Sequence, residues 1–110
     1  MIKDKISYLI DLCMEVQRGK DGNIESRKSS KDYWFQRDDS IEGPTVFFDF
    51  YGHTARLEIQ IFNEGWSGGS KSYEMFSFYL DKSIDSEHFL KCKTLLENLI
   101  EEQKEKEEES

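Results

Sequence analysis

The sequence is poor in proline, cysteine and histidine, and it lacks a long apolar run. Its 110 residues include one proline, two cysteines and two histidines. Cys13 and Cys92 are too few and too far apart for the disulfide framework of a small secreted domain. Charges interrupt every apolar stretch, so no segment approaches the ~18 apolar residues of a membrane helix, and the first residues do not form a signal peptide. These absences predict a cytoplasmic protein with two reduced, buried thiols.

Positive charge is also scarce. The chain has 15 Lys and Arg against 23 Asp and Glu, which gives a net charge of −8. The last ten residues, EEQKEKEEES, hold six Glu and two Lys and supply half of that imbalance. Binding to a phosphate backbone needs a basic stripe, so direct contact with nucleic acid is disfavoured. A basic protein partner fits the charge better, although an acidic surface also serves solubility alone.

Aromatic residues, in contrast, are abundant, with eight Phe, five Tyr and two Trp. Disordered chains are poor in aromatic residues, so this composition predicts a folded chain. Its length corresponds to one domain. We therefore expect a single α+β domain over residues 1–100, followed by an acidic tail over residues 101–110 that is a solvated helix end or disordered.

Apolar spacing predicts a helix near each end of the chain. The first helix covers residues 2–18 and ends at the glycines of residues 19–23. Its stripe contains Ile2, Ile6, Leu9, Cys13 and Val16. The second begins near Ser86, and its stripe contains Phe89, Cys92, Leu96 and Leu99. Between them, residues 24–31 are polar and are expected to be mobile, and DYWFQRDD at residues 32–39 predicts a short edge strand.

A hairpin is predicted from the runs PTVFFDFY and TARLEIQIF, which flank Gly52-His53. A glycine in the first turn position suits a two-residue type II′ turn. That turn places Phe48 opposite Leu57 and Asp49 opposite Arg56, and the opposite charges in register support the alignment. Residues 72–80, SYEMFSFYL, predict the next strand. One face of the sheet is then apolar: Val46, Phe48, Phe50, Leu57, Ile59, Phe76, Phe78 and Leu80.

The order of these elements predicts an α+β fold. It is a four-stranded antiparallel meander with the N- and C-terminal helices packed on its apolar face, which makes a two-layer sandwich. The two helices are expected to lie side by side, because each carries an apolar stripe that needs cover.

The loop GWSGGSKS, residues 65–72, comes within one residue of a phosphate-binding loop. Ser70 replaces the second glycine of that motif. A strand follows the loop, so no helix N-terminus is available to bind phosphate. We interpret it as a long hairpin loop with no nucleotide. Its Trp66 either folds back over the core or projects towards a partner.

The remaining polar candidates do not predict a catalytic, metal or cofactor site. His53 lies in the predicted turn and His88 in the first turn of the last helix, and neither has metal-ligand spacing to Cys13 or Cys92. The acidic pair Asp38-Asp39 lies at a strand end without neighbours that would make it an acid–base catalyst. We therefore expect that the protein is not an enzyme.

The second face of the predicted sheet is the strongest functional feature. It would display Phe47, Asp49, Tyr51, Glu58, Phe62, Tyr73, Met75 and Tyr79. Large exposed apolar patches generally mark interaction sites. A bound partner, a homodimer and a helix that crosses this face are the three explanations. Stacking of single-stranded RNA on the aromatic residues is disfavoured, because carboxylates would repel its phosphates.

In size, acidity and architecture the chain resembles small cytoplasmic inhibitors, such as bacterial toxin-immunity proteins and phage-encoded inhibitors of host nucleases. This likeness of class implies a non-enzymatic protein that neutralises a basic, nucleic-acid-acting protein by occluding its site. The alternative is a homodimeric small-ligand-binding or accessory protein that uses the sheet face or the Trp66 loop. The expected partner contacts are Phe47, Asp49, Tyr51, Glu58, Trp66, Tyr73 and Glu74.

Overall fold

A computed structural model of the protein describes residues 2–29, 41–67 and 73–109. In chain order the described elements are α1 (Ile2–Val16), β1 (Arg27–Lys28), β2 (Ile41–Glu42), β3 (Thr45–Tyr51), β4 (Arg56–Phe62), β5 (Glu74–Tyr79) and α2 (Ser86–Glu109). The strand predicted at residues 32–39 and the pair Asp38-Asp39 lie outside the described residues. The helix search over those residues finds none long and apolar enough to cross a membrane.

The described strands form two sheets. Strands β3, β4 and β5 make a three-stranded antiparallel sheet in that order, and β1 and β2 make a separate parallel pair. With helices before and after the sheets, the predicted α+β class is confirmed. Three strands of the predicted meander are present, and the predicted fourth strand falls on residues outside the described ranges.

The predicted register of the hairpin is wrong by two residues. Phe48 pairs with Ile59, Asp49 with Glu58, and Tyr51 with Arg56. The turn is longer than predicted: residues 52–55 connect the strands, and Ala55 takes a left-handed φ of 52°. Because the displacement is an even number, every side chain keeps its predicted face of the sheet. Asp49 and Arg56, the opposite charges that supported the predicted register, are not directly opposed in the structure.

Both helices pack on one face of the three-stranded sheet, which we call the inner face. The core joins residues of α1 and α2 to inner-face residues of β4 and β5: Ile6, Leu9, Leu12, Cys13, Val16, Leu57, Ile59, Ile61, Phe76, Phe78, Cys92, Leu96 and Leu99. The two cysteines are buried in it, as the helical spacing predicts. The helices lie against each other, and the Tyr8 hydroxyl donates to Glu97 Oε2 at 2.6 Å.

Two side-chain caps determine where the helices end and begin. The Gln103 side-chain amide of α2 donates to the Val16 carbonyl at the end of α1, at 2.6 Å, and so satisfies one of the acceptors that a helix C-terminus leaves open. At the start of α2, Asp85 Oδ1 accepts from the His88 backbone N–H at 3.0 Å, as expected of an N-cap residue.

Strand β3 is covered only in part. Phe48 and Phe50 lie on the inner face and were predicted to be covered, but they are 38% and 61% exposed. Val46, near the start of the strand, packs against the core. The prediction is wrong because the described core stops at the start of β3, an outermost strand of the described sheet.

The polar segment after α1 is predicted to be mobile, but contacts of side chains and backbone hold its described part in place. Arg27 is 7% exposed, and its Nη2 lies 2.7 Å from Glu25 Oε1. Ion pairing satisfies a guanidinium that would otherwise be costly to bury. The adjoining backbone is held as well, because the Ile41 and Gly43 N–H groups donate to the carbonyls of Ser26 and Lys28.

Candidate functional site

The outer face is the side of the three-stranded sheet that points away from α1 and α2. Strand pairing arranges its side chains in three rows across β3, β4 and β5. From one end to the other, the rows are Phe47–Gln60–Met75, Asp49–Glu58–Ser77 and Tyr51–Arg56–Tyr79. Since both described helices pack on the inner face, neither covers these rows, and the interpretation that one of them crosses this face is wrong.

The middle row is acidic. Asp49 lies directly opposite Glu58, a like-charge pair that destabilises a sheet by itself. The Tyr51 hydroxyl donates to Glu58 Oε2 at 3.3 Å. Neither carboxylate forms an ion pair within the described parts of the chain. Two negative charges therefore lie side by side on this face, with no ion-pair partner in the ranges that the structure describes.

The guanidinium of Arg56, the arginine of this face, packs against an aromatic ring. The Arg56 guanidinium carbon lies 4.5 Å from the centre of the Tyr51 ring, which is cation–π geometry. Its Nε is buried and has no hydrogen-bond partner among the described residues. Arg56 keeps its positive charge, but it stacks on the ring and forms no ion pair with the acidic row within the described residues.

Four aromatic side chains form the outer cluster at one end of this face: Phe47, Phe62, Trp66 and Tyr73. The ring centres of Phe47 and Phe62 are 5.2 Å apart, those of Phe62 and Tyr73 are 5.0 Å apart, and those of Phe47 and Trp66 are 5.9 Å apart. Phe62, predicted to be exposed, is only 5% exposed and has the Phe47 and Tyr73 rings against it. Phe47 and Tyr73 stay 37% and 47% exposed.

Trp66 folds back onto the sheet, which decides between its two predicted placements. Its backbone N–H donates to Thr45 Oγ1 at 3.2 Å, and its carbonyl accepts from the Ser29 N–H at 2.9 Å. The preceding Gly65 has a φ of +94°, and a Cβ added to it would overlap the Lys28 carbonyl. The outer cluster is therefore fixed in place by backbone contacts. Ser70 and Lys71 of the same loop lie outside the described residues.

The predicted contact residues divide into two groups and one outlier. Phe47, Trp66 and Tyr73 belong to the outer cluster, and the middle and far rows hold the other three: Asp49, Tyr51 and Glu58. Glu74 is the outlier, because alternation along β5 places it on the same side as Phe76. It lines a small cavity of about 180 Å³ together with Asn63, Glu64 and Tyr73.

The sequence prediction missed how open the edge beside this face is. Phe48 and Phe50 adjoin Asp49 in β3 and are exposed on the other side of the strand. Their hydrophobicity predicted burial, and only the strand order places them at an edge.

The thiols are buried in the core, and the imidazoles lie at the start of α2 and in the hairpin turn. Burial raises the pKa of Cys13 and Cys92 to about 12, so both remain thiols at neutral pH. His88 Nε2 accepts from the Ser77 backbone N–H at 3.2 Å, which gives this nitrogen a structural role. His53 is exposed in the turn. In the described ranges, no group of three or more His, Cys, Asp or Glu side chains could hold a metal ion.

No protein-family model matches the chain, and no curated protein or solved structure is significantly similar to it. The geometry of the outer face is therefore the basis for a functional proposal. Its distinguishing combination is an acidic row, for which the described residues provide no ion-pair partner, beside a half-exposed aromatic cluster.

Proposed function

We propose that the outer face binds a basic protein and that the chain is a non-enzymatic acidic inhibitor. In this proposal it acts in the cytoplasm in the manner of a toxin-immunity protein or a phage-encoded inhibitor of a nuclease. The observation that carries the proposal is the pairing of Asp49 with Glu58, next to exposed aromatic rings and without an ion-pair partner among the described residues. A basic surface on a partner would supply the missing charge.

The two parts of the face have separate roles in this proposal. The carboxylates accelerate encounter with a basic partner and select its orientation, since charge complementarity acts mainly on association rate and specificity. The exposed edges of Phe47 and Tyr73 supply apolar contact area, and aromatic residues are enriched at interface centres. Because Phe62 and Trp66 already hold these rings, little side-chain entropy is lost on binding.

Inhibition follows from occupancy. A protein that acts on nucleic acid presents lysines and arginines where phosphates bind. The Asp49–Glu58 row offers those side chains oxygen acceptors that are negatively charged, as phosphates are. A partner that binds these carboxylates cannot bind phosphate at the same place.

The test compares two variants with the same change in charge. Asp49→Asn with Glu58→Gln removes both charges of the acidic row and keeps side-chain shape. The control is Glu101→Gln with Glu105→Gln, which removes two exposed charges of α2. Each protein is used to capture basic proteins from lysate of the source cells at low and moderate salt.

We expect one basic protein to be retained by the wild type and by the α2 control, and to bind at least about ten-fold more weakly to the outer-face variant. Purified partner should then lose nucleic-acid binding when the wild-type chain is added. Equal retention by all three proteins would show that the acidic row is not the binding surface.

A homodimeric ligand-binding protein is the alternative to this proposal. The cavity beside Tyr73, about 180 Å³, is smaller than the ~300 Å³ at which ordinary ligand pockets begin. Face-to-face pairing of two copies would also bring their acidic rows together. Light scattering on a sizing column separates the cases, because a stable dimer that survives moderate salt would favour the alternative.

A further inference from the structure

The two edges of the three-stranded sheet are protected to different extents. At the β5 edge, the Ser77 N–H in the middle of the strand donates to His88 Nε2. At the β3 edge, the Val46 N–H near the start of the strand donates to Gln17 Oε1 at 2.8 Å. Outward N–H groups alternate along an antiparallel edge strand, so those of Phe48 and Phe50 also point away from β4. Among the described strands, none pairs with this edge.

This edge separates two chemically different surfaces. On the inner side, Phe48 and Phe50 are 38% and 61% exposed. On the outer side, Asp49 lies between them in the strand, with Glu58 directly behind it in β4. The outward backbone groups of residues 48–50, which no described strand pairs, are thus bordered by apolar side chains on one side and carboxylates on the other.

We propose that the basic partner binds by adding an antiparallel strand to the β3 edge at residues 48–50, a strand in which apolar and basic residues alternate. The inference rests on the proposed function, because it specifies how the same partner engages the acidic row. Apolar residues of the added strand pack on Phe48 and Phe50, and a lysine or arginine between them faces Asp49 and Glu58. Main-chain hydrogen bonds supply affinity and the alternating side chains supply specificity.

A second copy of this chain is a poor occupant of the same edge. Antiparallel pairing of two β3 strands that matches Phe48 with Phe50 of the other copy brings the two Asp49 side chains opposite each other. Like charges in that position are destabilising. The charge of the edge therefore favours a strand that carries basic residues.

The first arm of the test uses a probe of defined chemistry, a short peptide of alternating valine and lysine. In the proposed pairing, the valines lie opposite Phe48 and Phe50, and their N–H groups point to β3. The N–H groups of the lysines point away. N-methylation of the valines should therefore abolish binding, and N-methylation of the lysines should preserve it. Binding is followed by the amide chemical shifts of β3. If the two methylated peptides bind equally, the strand-addition proposal is wrong.

The second arm uses matched variants of one residue. Phe50→Pro removes both the ring and the outward N–H, whereas Phe50→Ala removes only the ring. Proline is tolerated on an edge strand whose N–H faces solvent. We expect the proline variant to bind the unmodified peptide about five-fold or more weakly than the alanine variant, because it lacks one hydrogen bond of the added strand. Should the proline variant fail to fold, the methylated peptides still decide the question.

Comparison with the outer-face variant separates this inference from the proposed function. Loss of the captured basic protein in both Phe50→Pro and Asp49→Asn/Glu58→Gln supports strand addition. Loss only in the carboxylate variant leaves the proposed function standing and overturns strand addition, because the partner then lies flat on the outer face. If neither variant affects capture, both proposals fail. A dimer that Phe50→Pro converts to monomer would assign the edge to a second copy and also overturn the inference.

Discussion

Strands β3 and β4 are the two halves of one hairpin, have the same length, and have opposite surroundings. Inner-face side chains of β4 are aliphatic and buried, and Ile59 is 0% exposed. Its direct neighbour Phe48 in β3 has a larger apolar side chain and is 38% exposed. Hydrophobicity does not decide this difference, and an edge position alone does not either, because Phe76 and Phe78 of β5, the other outer strand, are buried. The core covers the inner faces of β4 and β5 and reaches β3 only at Val46.

The outer face differs from the inner face at one end of the hairpin. Phe62 of β4 is buried there without a helix above it, under the rings of the outer cluster. The hairpin thus has a large core on one side and a small aromatic core on the other.

The largest expected effect is that of Ile59→Ala. Removing a fully buried side chain between α1, α2 and the sheet should lower the free energy of unfolding by about 4 kcal/mol. Phe48→Ala, on the directly opposed residue, removes more atoms and should cost under about 1 kcal/mol, because the ring is partly in water. Urea unfolding followed by circular dichroism measures both. Equal losses would contradict the assignment of β3 as a partly uncovered edge.

Phe62→Ala should come next, at about 3 kcal/mol. The ring is 5% exposed and contacts Phe47 and Tyr73, so its removal leaves a cavity in the outer cluster. The same substitution at Phe50, which is 61% exposed, is the matched control and should cost little. A small loss at Phe62 would show that the cluster collapses around the cavity and is less rigid than the ring contacts indicate.

Gln17→Ala tests what holds β3 to the helical layer. Its side chain accepts from the Val46 N–H and donates to the Glu25 carbonyl at 2.9 Å. Losing both hydrogen bonds should destabilise the fold by about 2 kcal/mol. Gln60→Ala, on the outer face, is the control and is expected to stay within about 0.5 kcal/mol of the wild type. Thermal unfolding of the two variants side by side gives the answer.

The smallest effect is expected for His88→Phe, which concerns the β5 edge. The imidazole ring centre lies 5.1 Å from that of Phe76 and 5.0 Å from that of Phe78, and phenylalanine can keep these contacts. Only the acceptor for the Ser77 N–H is lost, at a cost of about 1 kcal/mol. Chemical denaturation of the two proteins side by side measures it, and equal stability of wild type and variant would refute this role.

Much of this arrangement could be predicted from apolar periodicity. The stripes that contain Leu9 and Leu96 predict the two helices, and alternation predicts the correct face for every residue of β3 and β4. The register could not be obtained in the same way. The sequence allows a two-residue turn at Gly52-His53, and the resulting match of Asp49 with Arg56 is chemically attractive. The structure pairs Arg56 with the Tyr51 ring instead, a choice that depends on a longer turn.

The sequence predicts on which face of the sheet the site residues lie, but it does not predict which residues are their neighbours. Alternation identifies Asp49, Tyr51 and Glu58 as outer-face residues, but it does not reveal that the two carboxylates are directly opposed. Burial of Phe62 involves Phe47 and Tyr73, and Trp66 reaches Phe47 through a glycine turn that lies against the backbone of β1. Such contacts join segments far apart in the chain, and local patterns carry no information about them.

The contacts between the two helices have a consequence for the protein during its synthesis. Tyr8 and Glu97 are 89 positions apart, and Val16 and Gln103 are 87 apart. Translation at ~5–20 residues per second therefore separates the emergence of these partners by several seconds. Until α2 leaves the ribosome, Leu57, Ile59 and Ile61 have only α1 to cover them. The nascent chain should accordingly be a chaperone client for that interval, and slower elongation through α2 should prolong it.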